Sequence, residues 1–399
     1  MGQGAYFRDV SGWEGADWYA GPGVTPEAGP LTWGRPAWWE HWAGEHRAVR
    51  EGVVVMDMSF MAKFLVQGRD AGRLLEHVSA NRVDGEAGVI TYTQWLNGGG
   101  TIEADLTVTK LAADLSGDDG RYLVVASDTA HRHALTWLRR HLEIGPLAGA
   151  HAVVTDVTSG FTQLNVQGPR SRELLATLTP ADLSDGAFPF RTARTIDLGY
   201  AQVLCIRITY LGELGYELYV PTEQAVHVYE RILEAGPAFG LRHAGLKALA
   251  SCRMEKGYRD YGHDIDNTDT VLEAGLGFAV AMDKPGGFVG RDAVLRQQEA
   301  GPLTRRLVQV LLADPEPLLF HAEVVRRDGV EVGYVRAASY GHSLGAAVGL
   351  VMVTSPDGEP VTPAWLAAGS WDIEIADRRV PATASRRPLY DPTMARVRR

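Results

Sequence analysis

A single carboxylate in an alternating segment is the first feature of this sequence that could carry chemistry. Apolar and polar residues alternate through residues 101–109, and Asp105 lies on the polar side of that pattern. Such alternation predicts a half-buried β-strand. A carboxylate held beside an amine can accept a proton or stabilise a neighbouring cation. From the residues alone, an aspartate solvated at a strand edge is the more ordinary interpretation.

The other motifs that could carry chemistry are weaker. Residues 341–345 fit the hydrolase pattern G-x-S-x-G around Ser343, but the residues that follow predict a strand, so a tight turn is favoured over a nucleophile elbow. His131 and His133 lie two positions apart on a predicted helix, which points their rings to different faces, and we predict no metal site. No G-x-G-x-x-G joins a strand to a helix, so no dinucleotide fold for FAD or NAD is expected.

Composition and charge argue against several classes of protein. The 399 residues carry 39 Lys and Arg against 49 Asp and Glu, a net charge of −10, which argues against nucleic-acid and membrane-surface partners. No run of about 18 apolar residues is present, so no membrane span is expected. Cys205 and Cys252 are the only cysteines, too few for a disulfide framework, and a reducing cytoplasmic location is the simplest expectation.

The length predicts two or three domains, and the patterns divide the chain into three parts. Residues 1–50 hold six of the ten tryptophans and are expected to form an irregular aromatic arm packed onto the main body, with a docking surface for a partner as the alternative. Residues 51–290 alternate strand-like and helix-like segments. Residues 305–399 contain short strand-like runs, which favours a small β-barrel or sandwich, and the arginine-rich last 22 residues are expected to be a solvated tail. The expected strands of this last part are residues 306–312, 322–326, 332–335, 347–353 and 371–375.

Four further motifs occur in a fixed order along the chain. They are VMDMSFMAKF at residues 55–64, NGGGTIEADL at 97–106, YLGELGYEL at 210–218 and CRMEKGY at 252–258. Together they resemble the aminomethyltransferase family, typified by the T-protein of glycine cleavage, and more closely the folate-binding C-terminal half of dimethylglycine and sarcosine dehydrogenases. The resemblance implies an α+β fold with a cloverleaf-like aminomethyltransferase folate-binding region, at residues 51–290, and a C-terminal β-barrel domain. It also implies tetrahydrofolate as the cofactor, bound in a central cavity.

The resemblance assigns roles to ten residues. Asp105 takes the place of the family's catalytic aspartate, and Glu217 that of a glutamate that accepts N–H groups from the pteridine ring. The other eight are expected to bind the cofactor by lining the cavity or packing on the ring: Met61, Tyr92, Thr107, Val125, Ser127, Phe188, Tyr210 and Tyr258. Plain core packing is an alternative for Met61 and the three tyrosines.

The chain departs from the family pattern at several positions. T-proteins carry an arginine where Leu249 stands and an asparagine where Ser127 stands, which puts in doubt an aminomethyl-lipoyl carrier protein as the donor. Donor specificity is expected in loops at the cavity mouth, residues 261–264 and 267–270. Five basic residues are candidates to meet the glutamate tail of folate, although an ion-pair role is the more ordinary one for each: Lys63, Arg207, Arg253, Lys256 and Arg259.

The resemblance therefore predicts an enzyme, a tetrahydrofolate-dependent aminomethyltransferase or methyltransferase of the demethylase type. It would move a methylene or a methyl group from a small-molecule, methylated amine-type donor to tetrahydrofolate. The alternative is a folate-binding partner subunit of a separate flavin oxidase, which would trap the imine or formaldehyde that the oxidase makes. A regulator that binds folate and has lost transfer chemistry is a third interpretation, against which the presence of Asp105 argues.

Overall fold

Short strands and a few helices make up the described part of the chain, which in this computed structural model comprises residues 2–30, 32, 34–112 and 120–399. The α-helices are α1 (Trp39–Glu51), α2 (Ala71–Val78), α3 (His131–Glu143), α4 (Ser171–Ala176), α5 (Ala225–Ala235), α6 (Leu246–Glu255), α7 (Arg291–Glu299) and α8 (Pro363–Ala368). The strands are β1 (Ala5–Val10), β2 (Trp13–Tyr19), β3 (Val54–Asp57), β4 (Ala62–Gln67), β5 (Ile90–Leu96), β6 (Ile102–Lys110), β7 (Arg121–Ala126), β8 (Val153–Asp156), β9 (Phe161–Gln167), β10 (Ala193–Leu198), β11 (Ala201–Ile206), β12 (Gly215–Pro221), β13 (Arg242–His243), β14 (Arg305–Leu312), β15 (Val324–Arg327), β16 (Val330–Gly341), β17 (Ala346–Thr354), β18 (Trp371–Ile375) and β19 (Arg378–Ser385).

The first sheet has the strand order β5-β6-β7-β4-β8, and its neighbouring strands are antiparallel. The alternation predicted from the sequence is confirmed in β6, where Ala104, Leu106 and Val108 are buried. These side chains share one apolar core with residues of α2 and α3, and burial of each of the two larger ones stabilises the fold by about 1.5–3 kcal/mol. Because side chains alternate along a strand, Asp105 and Thr107 lie on the face away from the helices.

The second sheet has the strand order β10-β11-β12-β9-β3-β13. Tyr216, Leu218 and Val220 of β12 are buried in a core that includes residues of α4 and α5. Glu217 and Tyr219 alternate with them and therefore lie on the opposite face of the strand.

The two sheets meet through the faces that carry no helices. Val125 of β7 packs with Ile206 and Tyr219 of the second sheet in a small apolar cluster. Polar side chains on these two faces, including Asp105 and Glu217, are thereby directed into the same interior region.

A closed six-stranded barrel with the order β14-β17-β16-β15-β18-β19 follows. All five strands expected from the sequence overlap β14 to β18. The expectation of a solvated arginine tail is wrong, because Arg378–Ser385 pairs with both β14 and β18 and closes the barrel. Beyond it, Val397 is buried, and the main-chain oxygen of Arg399 accepts hydrogen bonds from Arg172 and Arg207.

The first 50 residues are more regular than the irregular arm predicted from their sequence. They contain the hairpin β1-β2 and all but the last residue of helix α1, which packs against α6. Trp18, Trp39 and Trp42 are buried, as expected for packing onto the main body, whereas Trp33 lies outside the described residues.

A buried guanidinium joins four segments of the chain. Arg50, near the end of α1, donates to main-chain oxygens in the β11–β12 loop and in α6. It also contacts the carboxylates of Glu213 at 3.2 Å and Glu255 at 2.7 Å, and it lies over the ring of Tyr390 at 4.0 Å. Burial alone would raise the pKa of Glu255. His46 and Arg50 outweigh this effect and lower the pKa to about 2. The carboxylate of Glu255 is therefore charged at neutral pH and depends on its cationic partners.

Replacing this guanidinium tests how much the junction contributes to stability. Arg50→Met removes the closest cation from two buried carboxylates and leaves them only the longer contacts of His46 and Arg396, and we expect a loss of about 3–5 kcal/mol in the free energy of unfolding. Urea unfolding would measure it. The matched control is Arg231→Met, whose pair with Glu234 is exposed and whose loss should cost less than about 1 kcal/mol. Equal effects of the two substitutions would contradict the role given to Arg50.

Candidate functional site

Strand register places four of the expected site residues side by side on one face of the first sheet. Tyr92 of β5 lies opposite Thr107 of β6, and Thr107 lies opposite Val125 of β7. Gln94, two residues after Tyr92, lies opposite Asp105, two residues before Thr107, in the same way. Directly opposed residues in a sheet share a face, so these side chains form one continuous surface.

Asp105 is partly buried and keeps some accessible surface, on the face of the first sheet that is turned towards the second sheet. Gln94 donates its side-chain amide to Asp105 Oδ1 at 2.8 Å. Burial raises the pKa of Asp105 to about 7. The hydrogen bonds from Gln94 and Tyr92 lower the pKa by less than desolvation raises it, and the negative charges of Asp264 and Asp260 raise it further. The group is therefore divided between its acid and carboxylate forms near neutral pH.

Glu217 provides a second carboxylate from the opposed sheet. Tyr219, two residues along β12, donates its hydroxyl to Glu217 Oε2 at 2.7 Å. Burial raises the pKa of Glu217 to about 7, even though Tyr219 and the nearby Lys63 lower it. Lys63 is itself buried, donating to the main-chain oxygens of Ser59 and Met61, and burial lowers its pKa to about 8.

Apolar side chains lie between the two polar faces. Met61 lies in the turn between β3 and β4, where its N–H donates to the main-chain oxygen of Met58 at 3.1 Å. Its side chain packs on the cluster that contains Val125 and Tyr219. Met61 thus borders the interior region that both sheets face.

The expected tyrosines form aromatic contacts around this region. Tyr210 and Tyr258 are stacked, with ring centroids 6.0 Å apart and planes inclined by 17°. The Tyr210 hydroxyl donates to the main-chain oxygen of Arg259 at 2.6 Å, which ties the β11–β12 loop to the segment after α6. Tyr92 stacks on Phe278 at 6.2 Å.

Two of the expected residues, Phe188 and Ser127, lie less directly at the interior region between the two sheets. Phe188 is fully buried and packs on Tyr216 at 5.8 Å, in the core on the helix side of the second sheet. Its face is opposite that of Glu217, so its placement does not support the expected contact with the cofactor. Ser127, just after β7, contacts Thr129 at 3.0 Å and the main-chain oxygen of Tyr261 at 3.5 Å.

Four of the five basic candidates for the folate tail are committed to other partners. The contacts are Lys63 with main-chain oxygens, Arg207 with Asp185 at 2.6 Å, Arg253 with Asp264, and Lys256 with Asp391 at 3.2 Å. Arg259 differs, because it contacts no carboxylate of the described residues within 4.0 Å and instead donates to main-chain oxygens.

The two loops expected at the cavity mouth differ in their surroundings. Arg253 pairs with Asp264 and so fixes residues 261–264 near Asp105, whose pKa Asp264 helps to raise. Asp269, by contrast, is fully buried and pairs with Arg305 at 2.7 Å and with Arg336 at 3.3 Å. Asp269 is therefore committed to ion pairs with the barrel, which does not support a role for it in donor selection.

The weaker motifs are structural where the chain is described. Ser343 lies in the turn between β16 and β17, as predicted, and contacts His46 at 2.9 Å. His131 and His133 contact different carboxylates, Asp156 and Glu103 respectively. Among the described residues, no group of three His, Cys, Asp or Glu side chains could hold a metal ion. No helix in that part of the chain is long and apolar enough to cross a membrane.

The sequence analysis missed several amide side chains of this interior. Gln94 holds the carboxylate of Asp105, and its position two residues after Tyr92 was the available signal. Strand β9 carries the buried residues Gln163, Asn165 and Gln167, which lie on the same face of the second sheet as Glu217 of β12. Polar residues alternating with Leu and Val in the segment TQLNVQ could have indicated a strand with one polar, buried face.

Two family models together match nearly the whole chain. The model of the GCVT N-terminal domain matches residues 1–284. The model of the glycine cleavage T-protein C-terminal barrel domain matches residues 305–391.

Several curated proteins are similar to this chain. It is 40% identical to 4-methylaminobutanoate oxidase (formaldehyde-forming) of Paenarthrobacter nicotinovorans, over 99% of this chain and 45% of that protein. It is 32% identical to mitochondrial dimethylglycine dehydrogenase of Mus musculus, over 98% of this chain and 43% of that protein. It is 34% identical to an aminomethyltransferase of Caldanaerobacter subterraneus, over 81% of this chain and 83% of that protein. The chain thus spans under half the length of the first two relatives.

A solved structure supports the fold. The glycine cleavage system aminomethyltransferase T from Bartonella henselae matches with a TM-score of 0.79 at 22% identity, over 98% of this chain and 96% of that one. Together with the closed C-terminal barrel, this match confirms the predicted α+β aminomethyltransferase fold. From its two domain matches and its relatives, the chain belongs to the aminomethyltransferase family typified by the T-protein of glycine cleavage.

Proposed function

We propose that this chain is a tetrahydrofolate-dependent one-carbon transferase, which moves a methylene or a methyl group from a methylated amine-type donor to tetrahydrofolate. Membership of the aminomethyltransferase family supports folate-dependent one-carbon transfer. The observation that carries the proposal is Asp105, a carboxylate with a pKa of about 7 on the face of the first sheet that is turned towards the second sheet. A group with a pKa near the working pH is suited to exchange a proton during a reaction.

The residues around the interior fit the ring of tetrahydrofolate. Tyr219 occupies one oxygen of Glu217, and no described residue donates a hydrogen bond to the other oxygen. The buried amide oxygen of Gln163, opposite Tyr219 in register, also lacks a donor. These acceptors suit the adjacent N–H groups at the edge of a pteridine ring, because a carboxylate accepts two parallel hydrogen bonds. Met61 and Val125 supply the apolar contact for the ring.

Asp105 has two tasks in this proposal. Tetrahydrofolate supplies the amine nitrogens that take up the carbon. Asp105 in its carboxylate form attracts a cationic donor, and it accepts the proton that an amine loses when it forms the new bond. Gln94 fixes one carboxylate oxygen at 2.8 Å, so the group is positioned before the donor arrives.

A second candidate function rests on two of the longer relatives. This chain covers 45% of 4-methylaminobutanoate oxidase (formaldehyde-forming) and 43% of dimethylglycine dehydrogenase, which are named as an oxidase and a dehydrogenase. By analogy, the chain would hold tetrahydrofolate and trap the imine or formaldehyde that a flavin oxidase partner makes. Both candidates need the same folate site, and they differ in the source of the carbon.

Identification of the folate product separates the two candidates. The purified chain is incubated with tetrahydrofolate and with sarcosine, dimethylglycine or 4-(methylamino)butanoate, and the folates are analysed by mass spectrometry. Methyl-tetrahydrofolate formed from one of these donors alone supports direct transfer, because conversion of their N-methyl group to a methylene bridge would need an added oxidant. Product that depends on added oxidase or formaldehyde, and increases with this chain, supports the trapping function. Absence of product above the chain-free background in every mixture would contradict both.

Asp105→Asn tests the catalytic assignment. Because asparagine cannot accept the proton, we expect the rate of transfer to fall by about 10²–10⁴-fold, while 5-formyltetrahydrofolate binds nearly as tightly as before. Glu103→Gln, on the same strand but paired with the surface residue His133, is the matched control and should keep its activity. A fully active Asp105→Asn variant would refute the role of this carboxylate.

Glu217→Gln tests the ring contact. Loss of a charged acceptor should weaken binding of 5-formyltetrahydrofolate by about 1.5–3 kcal/mol, or roughly 10- to 150-fold, as measured by titration calorimetry. Glu223→Gln changes an exposed carboxylate shortly after the same strand and should leave the affinity unchanged. An unchanged affinity in Glu217→Gln would place the ring elsewhere.

The raised pKa of Asp105 also predicts a dependence of stability on pH. The folded-state pKa of about 7 exceeds the ordinary value of about 4, so the folded protein binds this proton more tightly than the unfolded chain. The carboxylate therefore destabilises the fold progressively between about pH 4 and 7, and fully above that range. Relative to the wild type, Asp105→Asn should raise Tm by roughly 5 °C more at pH 8 than at pH 4, in differential scanning calorimetry. A shift in Tm that is the same at both pH values would contradict this ionisation.

A further inference from the structure

An open cavity with a cationic wall lies beside the proposed folate site. Its volume is about 440 Å³, within the range of small-molecule sites, and it lies between residues 272–278, α7 and β14. Its walls include Leu272, Phe278, Gln297 and Arg306. The cavity therefore combines an aromatic ring, an amide and a guanidinium, the types of group that bind a ligand with an apolar part and an anionic end.

The guanidinium of Arg306 has no counter-ion among the described residues. The neighbouring Arg305 pairs with Asp269 and Glu273, whereas Arg306 contacts no carboxylate within 4.0 Å. Burial lowers the pKa of Arg306, and the positive charges of Arg386 and Arg259 lower it further. Like charges gathered at a half-buried position repel one another, and an anion bound between them would relieve that repulsion.

This group of arginines also borders a second, smaller depression on the barrel. That depression is lined by residues that include Arg259, Gln309, Arg386 and Arg387. Like Arg306, Arg386 and Arg387 make no ion pair with the described residues. Two adjoining concave surfaces thus share one uncompensated positive region.

The cavity is one layer of side chains away from Asp105. Phe278 in its wall stacks on Tyr92, which lies on the same sheet face as Asp105. A Cβ at Gly275, another wall residue, would lie 2.8 Å from a terminal nitrogen of Arg259. This glycine therefore lets the guanidinium of Arg259 reach the cavity wall.

We propose that Arg306, Arg386 and Arg259 form a docking site for the carboxylate of a ligand whose reacting end lies at Asp105. The inference rests on the proposed function and adds a second contact point to it. Guanidinium groups bind carboxylates through paired N–H donors, and Phe278 would cover the apolar part of the ligand. Two ligands have this chemistry: folate, through its glutamyl group, and an amino-acid donor with an N-methyl group, through its own carboxylate.

Two ligands and two variants test whether folate supplies the bound carboxylate. Titration calorimetry compares 5-formyltetrahydrofolate with 5-formyltetrahydropteroate, which has the same ring system and lacks the glutamyl group. Arg306→Gln and Arg386→Gln should each weaken binding of the first ligand about tenfold or more and leave the second unchanged. Arg378→Gln, at the other end of β19 from Arg386, is the matched control. Melting curves verify that each variant is folded.

Steady-state kinetics test the donor source with the same proteins. If the donor supplies the carboxylate, both variants keep their affinity for 5-formyltetrahydrofolate, and KM for 4-(methylamino)butanoate, whose longer chain separates its carboxylate from its N-methyl group, rises about tenfold with little change in kcat. Unchanged folate affinity together with unchanged donor KM would overturn the docking site and leave the proposed function standing. A wild-type chain that fails to bind 5-formyltetrahydrofolate would overturn the proposed function itself, and the docking site with it.

Discussion

The arrangement of the walls around the proposed site depends on one buried cation. Arg50 contacts two carboxylates and two main-chain oxygens, and these partners belong to the β11–β12 loop and to α6. That loop also carries Tyr210, and the segment after α6 carries Tyr258, so the stacked pair is positioned from both sides of the same junction. A charge in this position is tolerated because its hydrogen bonds and the ring of Tyr390 compensate for the lost water.

Each of the two sheets contributes one face to the proposed site. Each buries an apolar face under its own helices and presents a polar face to the other sheet. Asp105 and Glu217 are the carboxylates of these faces, and the packing of Val125 on Tyr219 keeps the sheets together between them. Neither carboxylate has a cationic partner at hydrogen-bond distance among the described residues, so desolvation dominates both pKa values. An interior of this kind suits a ligand that brings its own hydrogen-bond donors and its own positive charge.

Local patterns predicted the parts of the fold that depend on local periodicity. The alternation in β6 placed Asp105 correctly on a face away from the apolar core, and the ordered motifs indicated the family and the C-terminal barrel. Strand β19 escaped prediction because its alternating apolar residues are small apart from Val380, with Ala382 and Ala384 following it, and because Pro381 interrupts the pattern. The surroundings of Asp269 and Phe188 could not be predicted for a different reason. Their surroundings are set by partners remote in sequence, such as Arg336 and Tyr216, and a substitution pattern read along the chain does not reveal them.

The two raised carboxylate pKa values have a consequence for ligand binding. At neutral pH each group holds a proton for part of the time, because the hydrogen bonds from Gln94 and Tyr219 compensate only partly for burial. A ligand that donates N–H groups to Glu217, or brings a positive charge to Asp105, favours the ionised form and expels that proton. Binding is then an exchange of protons for ligand, and the measured heat varies with the ionisation enthalpy of the buffer. The empty site thus carries only part of its full negative charge at neutral pH and gains the rest as the ligand enters.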